Sequence, residues 1–302
     1  MPLISAVMAS YNYGRYLPET IESVLNQSFT DLELIIVDDA SKDNSREIIK
    51  SYQEKDGRVR GVYHAENRGI APTFNDGIDE AAGTFVAIIG SDDLWMRDKL
   101  EKQIEVLDMN EDLVVHTGVV TIDAQSNPVE PSGKKRNGRK RNKSGSIFRE
   151  LLEGNFVCGS SIIFKKSNLN GIKLDERYRY VNDYKFTLDL AREYEFYYIA
   201  EPLVKYRVHG GNITLRDKGG WLKDFASFGK ELLREYEHEF SSRAKARFLF
   251  KIALDAHNRA DMTEARQYTI KAIKTRPFMA KYWKLLASSI CGKSQACSGS
   301  TV

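Results

Sequence analysis

The sequence predicts an α/β fold, in which helices flank a mostly parallel β-sheet and a helical extension follows. Short apolar runs alternate with segments of helical periodicity over the first hundred residues, which is the pattern of β-α-β units. Two of these runs end in a pair of aspartates, and from Trp221 onward every periodic segment is helical. The predicted domains are residues 1–215, the α/β domain, and residues 216–302, the helical extension.

The first half of the α/β domain contains four predicted strands joined by helices. Ser41 to Asn44 supply capping side chains for a helix that runs to about Lys55, and Pro72 lies where the start of a helix tolerates proline. An earlier helix carries one apolar stripe at the spacing i, i+4, i+7, i+8, formed by Leu17, Ile21, Val24 and Leu25. The predicted strands span residues 3–9, 32–37, 59–63 and 85–89.

The second half of the domain surrounds a polar loop. Residues 126–146 are rich in Ser, Gly, Asn, Lys and Arg, a composition typical of loops. Pro202 interrupts the apolar run 196–206, and because proline cannot donate a ladder hydrogen bond, we predict two strands there. The other predicted elements are helices over residues 96–107 and 183–192 and strands over residues 113–117 and 156–164.

The composition excludes several classes of protein. Of the 302 residues, 42% are hydrophobic and only 7 are proline, which excludes a disordered or fibrous chain. The 3 cysteines form no CxxC pair, so neither a disulfide framework nor a thiolate metal site is encoded. The sequence has no apolar run of about 18 residues, and its first residues lack the features of a signal peptide. We therefore expect a cytoplasmic protein.

Positive charge is concentrated in the extension and in one loop. The net charge is +8 in residues 216–302 and −5 in the rest, and residues 134–143 contain seven basic side chains. This basic run either contacts an acceptor phosphate or an anionic membrane surface, or is a solvated loop. It contains no aromatic residues, so nucleic acid is not an expected partner. Packing and membrane docking are both open for the last amphipathic stripe, formed by Met279, Tyr282, Trp283, Leu286 and Ile290.

The aspartate pairs lie at the ends of predicted strands. Asp38 and Asp39 end the second strand, and Asp92 and Asp93 follow the fourth. The carboxyl ends of parallel strands meet at one edge of a sheet, so both pairs should converge on one ligand site. Each pair alone could cap a helix or a turn. Together they favour a site for a diphosphate and a divalent cation, Mg²⁺ or Mn²⁺, because hard oxygen ligands select these ions.

Five segments resemble family 2 glycosyltransferases of the GT-A fold, which has a Rossmann-like sheet. They occur in the family's order, and the resemblance covers residues 3 to about 215. It implies an inverting enzyme that uses a nucleotide-sugar donor and a divalent cation. The segments are Val7-Met-Ala-Ser-Tyr-Asn12, Ile36-Val-Asp-Asp-Ala-Ser-Lys-Asp43, Glu66-Asn-Arg-Gly69 with Asn75 and Gly77, Ser91-Asp-Asp93, and Asn182-Asp183.

The resemblance implies a role for each matching position on the donor side. Asp39 would bond the nucleotide base, Tyr11 would pack against that base, and the backbone around Ala9 would complete the pocket. Asp92 and Asp93 stand at the family's DXD position, here as Ser-Asp-Asp. Asp92 would reach the ribose, and Asp93 would bind the metal that bridges the two phosphates.

The resemblance also implies a general base and a phosphate-side loop. Asp183 matches the base, although Asn182 stands where the family often has Glu; as an alternative, Asp183 caps the helix that follows. Arg207 or His209 would neutralise the leaving diphosphate, and a surface-loop role for His209 is equally open. Arg68 could reach the base or phosphates, or form a surface ion pair.

The expected activity is transfer of a sugar from a nucleotide-sugar, with UDP favoured, to a glycan or lipid-linked acceptor, in surface polysaccharide synthesis. Two alternatives remain at this level. A Mg²⁺-dependent phosphoryl-transfer protein also uses acidic strand ends, but the first strand here ends in Ser10-Tyr11-Asn12 and offers no aspartate nucleophile. The second alternative is a non-catalytic relative that only binds sugar nucleotides or glycans. No GxxxxGK[ST] or GxGxxG motif supports a nucleotide hydrolase or a dinucleotide enzyme.

Overall fold

Strands and helices alternate along the first two thirds of the computed structural model, which describes residues 1–129, 143–212 and 217–291. The described residues divide into two compact units, within the bounds Met1–Leu151 with Asn155–Asn212 and Leu152–Gly154 with Ile213–Val302. The predicted domain boundary falls among residues 213–216, outside the described ranges, and stays a prediction. The basic run also lies outside them, apart from Lys143.

The elements of the first unit follow the predicted order closely. Strands and helices alternate up to the fourth strand, as the apolar runs and helical periods indicate. The strands are β1 Ile4–Ser10, β2 Leu32–Asp38, β3 Val59–Tyr63, β4 Phe85–Gly90, β5 Leu94–Trp95, β6 Val114–Ile122, β7 Ile163–Lys165 and β8 Phe196–Arg207. The helices are α1 Leu17–Leu25, α2 Ser45–Lys55, α3 Ile70–Glu80, α4 Lys99–Met109, α5 Phe148–Leu152 and α6 Asn182–Glu193.

The described strands form one sheet in the order β3-β2-β1-β4-β7-β6-β8-β5. The pairs β3/β2, β2/β1, β1/β4 and β6/β8 are parallel, whereas β7 is antiparallel to both of its neighbours and β5 is antiparallel to β8. The mostly parallel sheet flanked by helices is therefore confirmed. Because β1 lies between β2 and β4, with Ser10 paired to Asp38 and Ala9 to Gly90, the predicted acidic pairs emerge at the same edge.

Helices pack closely on the apolar centre of this sheet. Val7 on β1 is completely buried, as are Leu17, Ile21 and Val24 of the predicted stripe on α1. Each such side chain contributes roughly 1.5–3 kcal/mol when it leaves water. Gly77 on α3 lets that helix approach the sheet, because a Cβ there would lie 2.5 Å from Cγ1 of Val7. A larger residue would push α3 away from the strands that present the site.

Three predicted elements differ from the structure. Residues 156–164 form no continuous strand; a 3₁₀ turn, Gly159–Ser161, precedes the short β7. Trp95 belongs to a two-residue strand, so α4 begins later than predicted, at Lys99. Residues 196–206 form one strand instead of two. Its pairing with β6 is irregular where Gly118 faces Pro202, because proline offers no N–H to the ladder.

The second unit is helical, as the periodicity predicts. Its helices are α7 Lys218–Tyr236, α8 Ser242–Asn258, α9 Met262–Thr275 and α10 Ala280–Cys291. Ser241 and Asp261 cap α8 and α9, since their side chains accept hydrogen bonds from backbone N–H groups of the first turn. Phe225 and Phe248 stack with ring centroids 4.8 Å apart between α7 and α8. No helix in the described ranges has both the length and the hydropathy that spanning a bilayer requires.

Candidate active site

Asp39, directly after β2, is held by the loop that follows β3. The Asp39 carboxylate accepts hydrogen bonds from the backbone N–H groups of Arg68 (2.7 Å) and Gly69 (2.8 Å), and His64 Nδ1 lies 2.8 Å from Oδ1. Gly69 has φ = 94°, a conformation that favours glycine. The Asp39 side chain is only 4% exposed, and Oδ2 accepts one of these bonds. This oxygen can therefore accept one further donor, as a base contact would require.

The neighbouring Asp38 has a structural role. Its Oδ1 accepts hydrogen bonds from the backbone N–H of Ser41 (3.1 Å) and from Nε of Arg46 (2.6 Å), so it fixes the turn after β2. Arg68, in contrast, has a half-exposed side chain whose guanidinium bonds Asp76. Asp38 thus stabilises a turn, whereas Asp39 lies in a candidate ligand pocket. Arg68 lies at the rim of that pocket.

The remaining two base-pocket residues lie at the end of β1. Ala9 pairs with Val37 on one side and Gly90 on the other, so its backbone lies between the two acidic strand ends. Tyr11 follows β1 and is 37% exposed, which leaves its ring available to a ligand. Strands in a sheet are about 4.8 Å apart, so the ends of β2 and β4 lie roughly 10 Å from each other across Ala9.

Asp92 and Asp93 occupy the turn after β4 and differ in exposure. Asp93 is 3% exposed, and its two oxygens accept hydrogen bonds from the hydroxyl of Ser160 (2.5 Å) and the backbone N–H of Arg207 (2.9 Å). Asp92 is more open; its Oδ2 lies 3.0 Å from His209 Nε2. Burial raises the pKa of both carboxyl groups, and the adjacent Asp92 raises that of Asp93 further. This is an anionic pair that a cation would stabilise.

A buried polar network holds the 3₁₀ turn that supports Asp93. Besides donating to Asp93, the Ser160 hydroxyl accepts from the backbone N–H of Gly90 at 3.0 Å. Trp95 Nε1 donates to the carbonyl of Ser160 at 2.8 Å, and Lys99 Nζ lies 3.9 Å from the centre of the Trp95 ring. Complete burial lowers the pKa of Lys99 well below its ordinary value. This network orients Asp93 from the side facing the core.

The Arg207 side chain lies inside the protein, whereas the sequence suggested that it contacts the leaving diphosphate. The side chain is completely buried, and its guanidinium lies over the ring of Tyr16 at 4.9 Å. Its hydrogen bonds go to the carbonyls of Asp92 (2.7 Å) and Asp123 (3.3 Å), to Oγ of Ser126 (2.8 Å) and to Oε2 of Glu19 (2.8 Å). These contacts commit its charge to the protein. We therefore replace the expected phosphate contact with a positioning role for the turn that carries Asp92.

Replacing Arg207 by Met should lower the free energy of unfolding by about 2–4 kcal/mol, because buried carbonyls lose their donors. Thermal or denaturant unfolding measures this loss. Arg97→Met is the matched control, since Arg97 is exposed, and it should change stability by less than about 0.5 kcal/mol. Unchanged stability of the Arg207 variant together with weaker nucleotide binding would restore the phosphate-contact role.

His209 lies beside Asp92 in the segment after β8. Its Nδ1 accepts from the backbone N–H of Gly211 (3.0 Å), so the proton of the neutral ring lies on Nε2 and is donated to Asp92. The ring packs against Tyr13 and Tyr16, with centroids 5.6 Å and 4.7 Å away. The His209 side chain is therefore enclosed next to Asp92 instead of lying in a solvated loop, and its role in binding stays a prediction.

Asp183 lies in the first turn of α6, exposed to solvent, and Oδ1 accepts the backbone N–H of Tyr184 at 2.7 Å. Although the residue as a whole is exposed, its carboxyl group lies close to protein atoms, and this local desolvation raises its pKa. The pKa of Tyr206 is also raised, chiefly by burial and then by the charges of Asp93, Asp92 and Asp183 among others.

Sequence reasoning missed two residues that contact the candidate site, His64 and Ser160. His64 follows β3 at the same sheet edge and bridges Asp39 to Asp76. Its place after a predicted strand was the only signal that could have identified it. Ser160 had no such signal, because its role depends on a contact with a residue 67 positions earlier.

Comparisons with known proteins identify the family of this chain. The family model described as glycosyl transferase family 2 matches residues 5–171. An uncharacterised glycosyltransferase of Methanocaldococcus jannaschii is 33% identical over 211 residues, which are 68% of this chain and 71% of the relative. TuaG of Bacillus subtilis, a putative teichuronic acid biosynthesis glycosyltransferase, is 45% identical over 106 residues, which are 35% of this chain and 42% of TuaG.

Two solved structures share the fold. Residues 1–349 of S. aureus TarS, in complex with UDP-GlcNAc, give a TM-score of 0.67 at 16% identity, over 97% of this chain and 88% of the TarS chain. The mannosyltransferase PcManGT of Pyrobaculum calidifontis, in complex with GDP-Man and Mn²⁺, gives a TM-score of 0.60 at 17% identity, over 96% of this chain and 80% of PcManGT. At these identities the likeness establishes the GT-A fold, and the family match decides against the phosphoryl-transfer alternative. The chain is a glycosyltransferase and belongs to glycosyl transferase family 2.

Proposed function

We propose that the protein is an inverting, metal-dependent glycosyltransferase that moves a sugar from a nucleoside diphosphate sugar to a hydroxyl group of a glycan or lipid-linked acceptor. One observation carries this proposal. The strand ends of one sheet edge present Asp39 and, two strands away, the Asp92–Asp93 pair, and Asp183 in the first turn of α6 would serve the acceptor beside them. Base, diphosphate and acceptor would bind in that order.

The donor side is proposed from the pocket around Asp39. A base with an N–H group can donate to Oδ2 of Asp39, while the exposed ring of Tyr11 and the backbone around Ala9 bound the same space. Arg68 at the rim would contact the base or the phosphates. We favour UDP as the nucleotide; the TarS complexes with UDP and UDP-GlcNAc support this choice, whereas PcManGT was crystallised with GDP-Man.

The chemistry of the Asp92–Asp93 pair fits Mn²⁺ or Mg²⁺. Carboxylate oxygens are the ligands these ions prefer, and because burial raises the pKa of both carboxyl groups, a bound cation would stabilise their charged forms. Asp93 would hold the metal and Asp92 the ribose, with His209 orienting Asp92. When bound, the cation would neutralise charge on the leaving diphosphate. In the described part of the chain, no three His, Cys, Asp or Glu side chains are grouped to hold a metal, so donor phosphates would complete its shell.

The acceptor side is proposed from Asp183. Oδ2 makes no hydrogen bond with the described residues, and it would take the proton of the acceptor hydroxyl as that oxygen attacks the anomeric carbon. The new C–O bond forms as the bond to the diphosphate oxygen breaks, and the diphosphate leaves with the electron pair. Attack from the face opposite the leaving group inverts the anomeric configuration. A raised pKa makes Asp183 a stronger base than an ordinary carboxylate.

The acceptor is proposed to belong to surface polysaccharide synthesis. The similarity to TuaG, a putative teichuronic acid biosynthesis glycosyltransferase, supports this. Lipid-linked acceptors are presented at the membrane, so we also propose that the protein is cytoplasmic and works in peripheral contact with an anionic membrane face.

A donor panel tests the proposal directly. Thermal unfolding would be measured with UDP-, GDP- and dTDP-sugars, each with Mn²⁺ or with a chelator. The correct donor should raise the melting temperature only with Mn²⁺, since a ligand at about a hundredfold excess over Kd adds about 2.7 kcal/mol to the stability of the native state. Asp39→Asn should remove most of this rise. A rise that survives chelation would contradict the metal role, and no rise with any donor would contradict the proposed donor class.

A further inference from the structure

Helix α10 carries two apolar faces, and among the described residues only one of them is packed. The predicted stripe is divided, because Tyr282 is buried and Leu286 half-buried whereas Trp283 and Ile290 are exposed; Leu285, outside the predicted stripe, is also buried. Trp283 is 52% exposed and Ile290 62%, and Phe278 just before the helix is 98% exposed. Trp283 and Ile290 are seven positions apart, two turns along the same face. An exposed stripe of this kind marks an interaction surface.

Basic residues lie on both sides of this stripe in the sequence, and acidic residues do not. The sequence has no Asp or Glu after Glu264, and seven Lys or Arg follow it. Lys251 on α8 lies 5.0 Å from the ring of Trp221, and Lys281 on α10 lies 4.8 Å from the ring of Phe250. Among the residues described, neither lysine is within ion-pairing distance of a carboxylate.

The cations are close enough to repel one another. Desolvation lowers the pKa of Lys251, and the charges of Lys281 and Arg247 lower it further. Desolvation likewise lowers the pKa of Lys281, followed by the charges of Arg247 and Arg276. Gathering like charges in this way costs free energy, which an anionic partner would recover.

We propose that this surface, formed by Arg276, Phe278, Lys281, Trp283, Lys284 and Ile290, docks the protein on an anionic lipid bilayer. Phe278 and Trp283 enter the interfacial layer while Arg276, Lys281 and Lys284 contact lipid phosphates. A bilayer fits both halves of the surface, because exposed aromatic side chains next to lysines are the composition of interfacial anchors. This inference rests on the proposed function, because docking would bring the site to a lipid-linked acceptor at the membrane. The binding to lipid itself requires no turnover.

Vesicle flotation with the full chain tests the docking. The protein should float with vesicles of phosphatidylcholine and phosphatidylglycerol, should not float with phosphatidylcholine alone, and should be released by high salt. Trp283 emission should shift to the blue on binding. The Trp283→Phe variant should still float, since phenylalanine keeps an aromatic side chain at this position. It should lose the shift in emission, because of the other two tryptophans Trp95 is buried and Trp221 is half-buried.

Variants separate the two halves of the surface. Phe278→Ser should weaken vesicle binding at least tenfold, and Lys281→Gln with Lys284→Gln should weaken it by roughly 25-fold, about fivefold for each charge near the bilayer. The matched control is Lys50→Gln with Lys55→Gln on α2, which makes the same charge change at exposed positions and should bind within twofold of the parent. Melting temperatures would confirm that each variant is folded.

Three outcomes would overturn the proposal. These are equal flotation with neutral vesicles, equal weakening by both lysine pairs, and wild-type binding by Phe278→Ser. A dimer in solution that Phe278→Ser disrupts would assign the stripe to a second copy of the chain instead. Nucleotide-dependent thermal shifts, measured on the same preparation, distinguish the two proposals. Donor binding without vesicle binding would contradict only the proposed membrane docking. Vesicle binding without donor binding would contradict only the proposed transferase function.

Discussion

Asp183→Asn should reduce kcat by about 10² to 10⁴ while leaving nucleotide-sugar binding near its original affinity. Asparagine keeps the shape of the side chain and can accept the hydrogen bond from Tyr184 N–H, but it cannot take a proton from the acceptor. Because the reactive form of Asp183 is the carboxylate, the parent should lose activity as pH falls through its raised pKa. This limb of the pH–rate profile should vanish in the variant.

Asp189→Asn is the matched control for this experiment. It lies on the same helix and makes the same chemical change, but its carboxylate bonds Lys185 one turn away. Donor affinity by calorimetry and transfer rates with saturating acceptor would be measured for both variants. Full activity in Asp183→Asn would mean that another group removes the proton, and equal losses in both variants would point to a disturbed helix.

Asp93→Asn should abolish transfer and remove the dependence of donor binding on Mn²⁺. The asparagine still has an oxygen that can accept the hydrogen bond from Ser160 or from Arg207 N–H, but the negative charge that would hold the cation is lost. Binding of Mn²⁺ with UDP, followed by the electron paramagnetic resonance signal of free Mn²⁺, measures this effect without turnover. The parent should deplete free Mn²⁺ only when nucleotide is present.

Asp92→Asn distinguishes the two carboxylates. If Asp92 contacts the ribose, this variant should bind donor more weakly and still deplete Mn²⁺ at saturating nucleotide. The structure makes the comparison informative, since Asp92 is the more open of the two and only its Oδ2 is hydrogen-bonded within the described residues. Metal binding lost in Asp92→Asn and kept in Asp93→Asn would exchange the two proposed roles.

Most of the fold follows from local patterns. Buried strands such as β1 and β2 are continuous apolar runs, and the stripe of α1 repeats at helical spacing, so their bounds agree with the structure to within one residue. Predictions were wrong where a distant contact decides the backbone. Ser160 bonds Gly90 and Asp93, and this holds residues 159–161 in a 3₁₀ turn although the segment reads as a strand.

The candidate site also has some features that follow from local sequence patterns and others that distant contacts decide. The predicted residues Ala9, Asp39, Asp92 and Asp93 share one sheet edge because strand order brings their strand ends together. Which carboxylate of a pair faces the ligand does not follow from its type, since Asp38 and Asp39 are adjacent and identical in chemistry. Their difference arises from Arg46 on one side and the backbone of Arg68 and Gly69 on the other.

The sequence by itself determined the order of the elements, the family and the set of carboxylates. Each of these depends on patterns formed by residues that are near one another along the chain. Only the tertiary structure decided that Arg207 is buried beneath the turn carrying Asp92, bonded to Glu19 from 188 positions earlier. It also decided that Tyr282 is buried on α10 whereas the adjacent Trp283 is exposed. Burial and hydrogen-bond partners of this kind depend on which surfaces pack together. Packing joins residues that no local pattern links, so their roles appear only when the chain is folded.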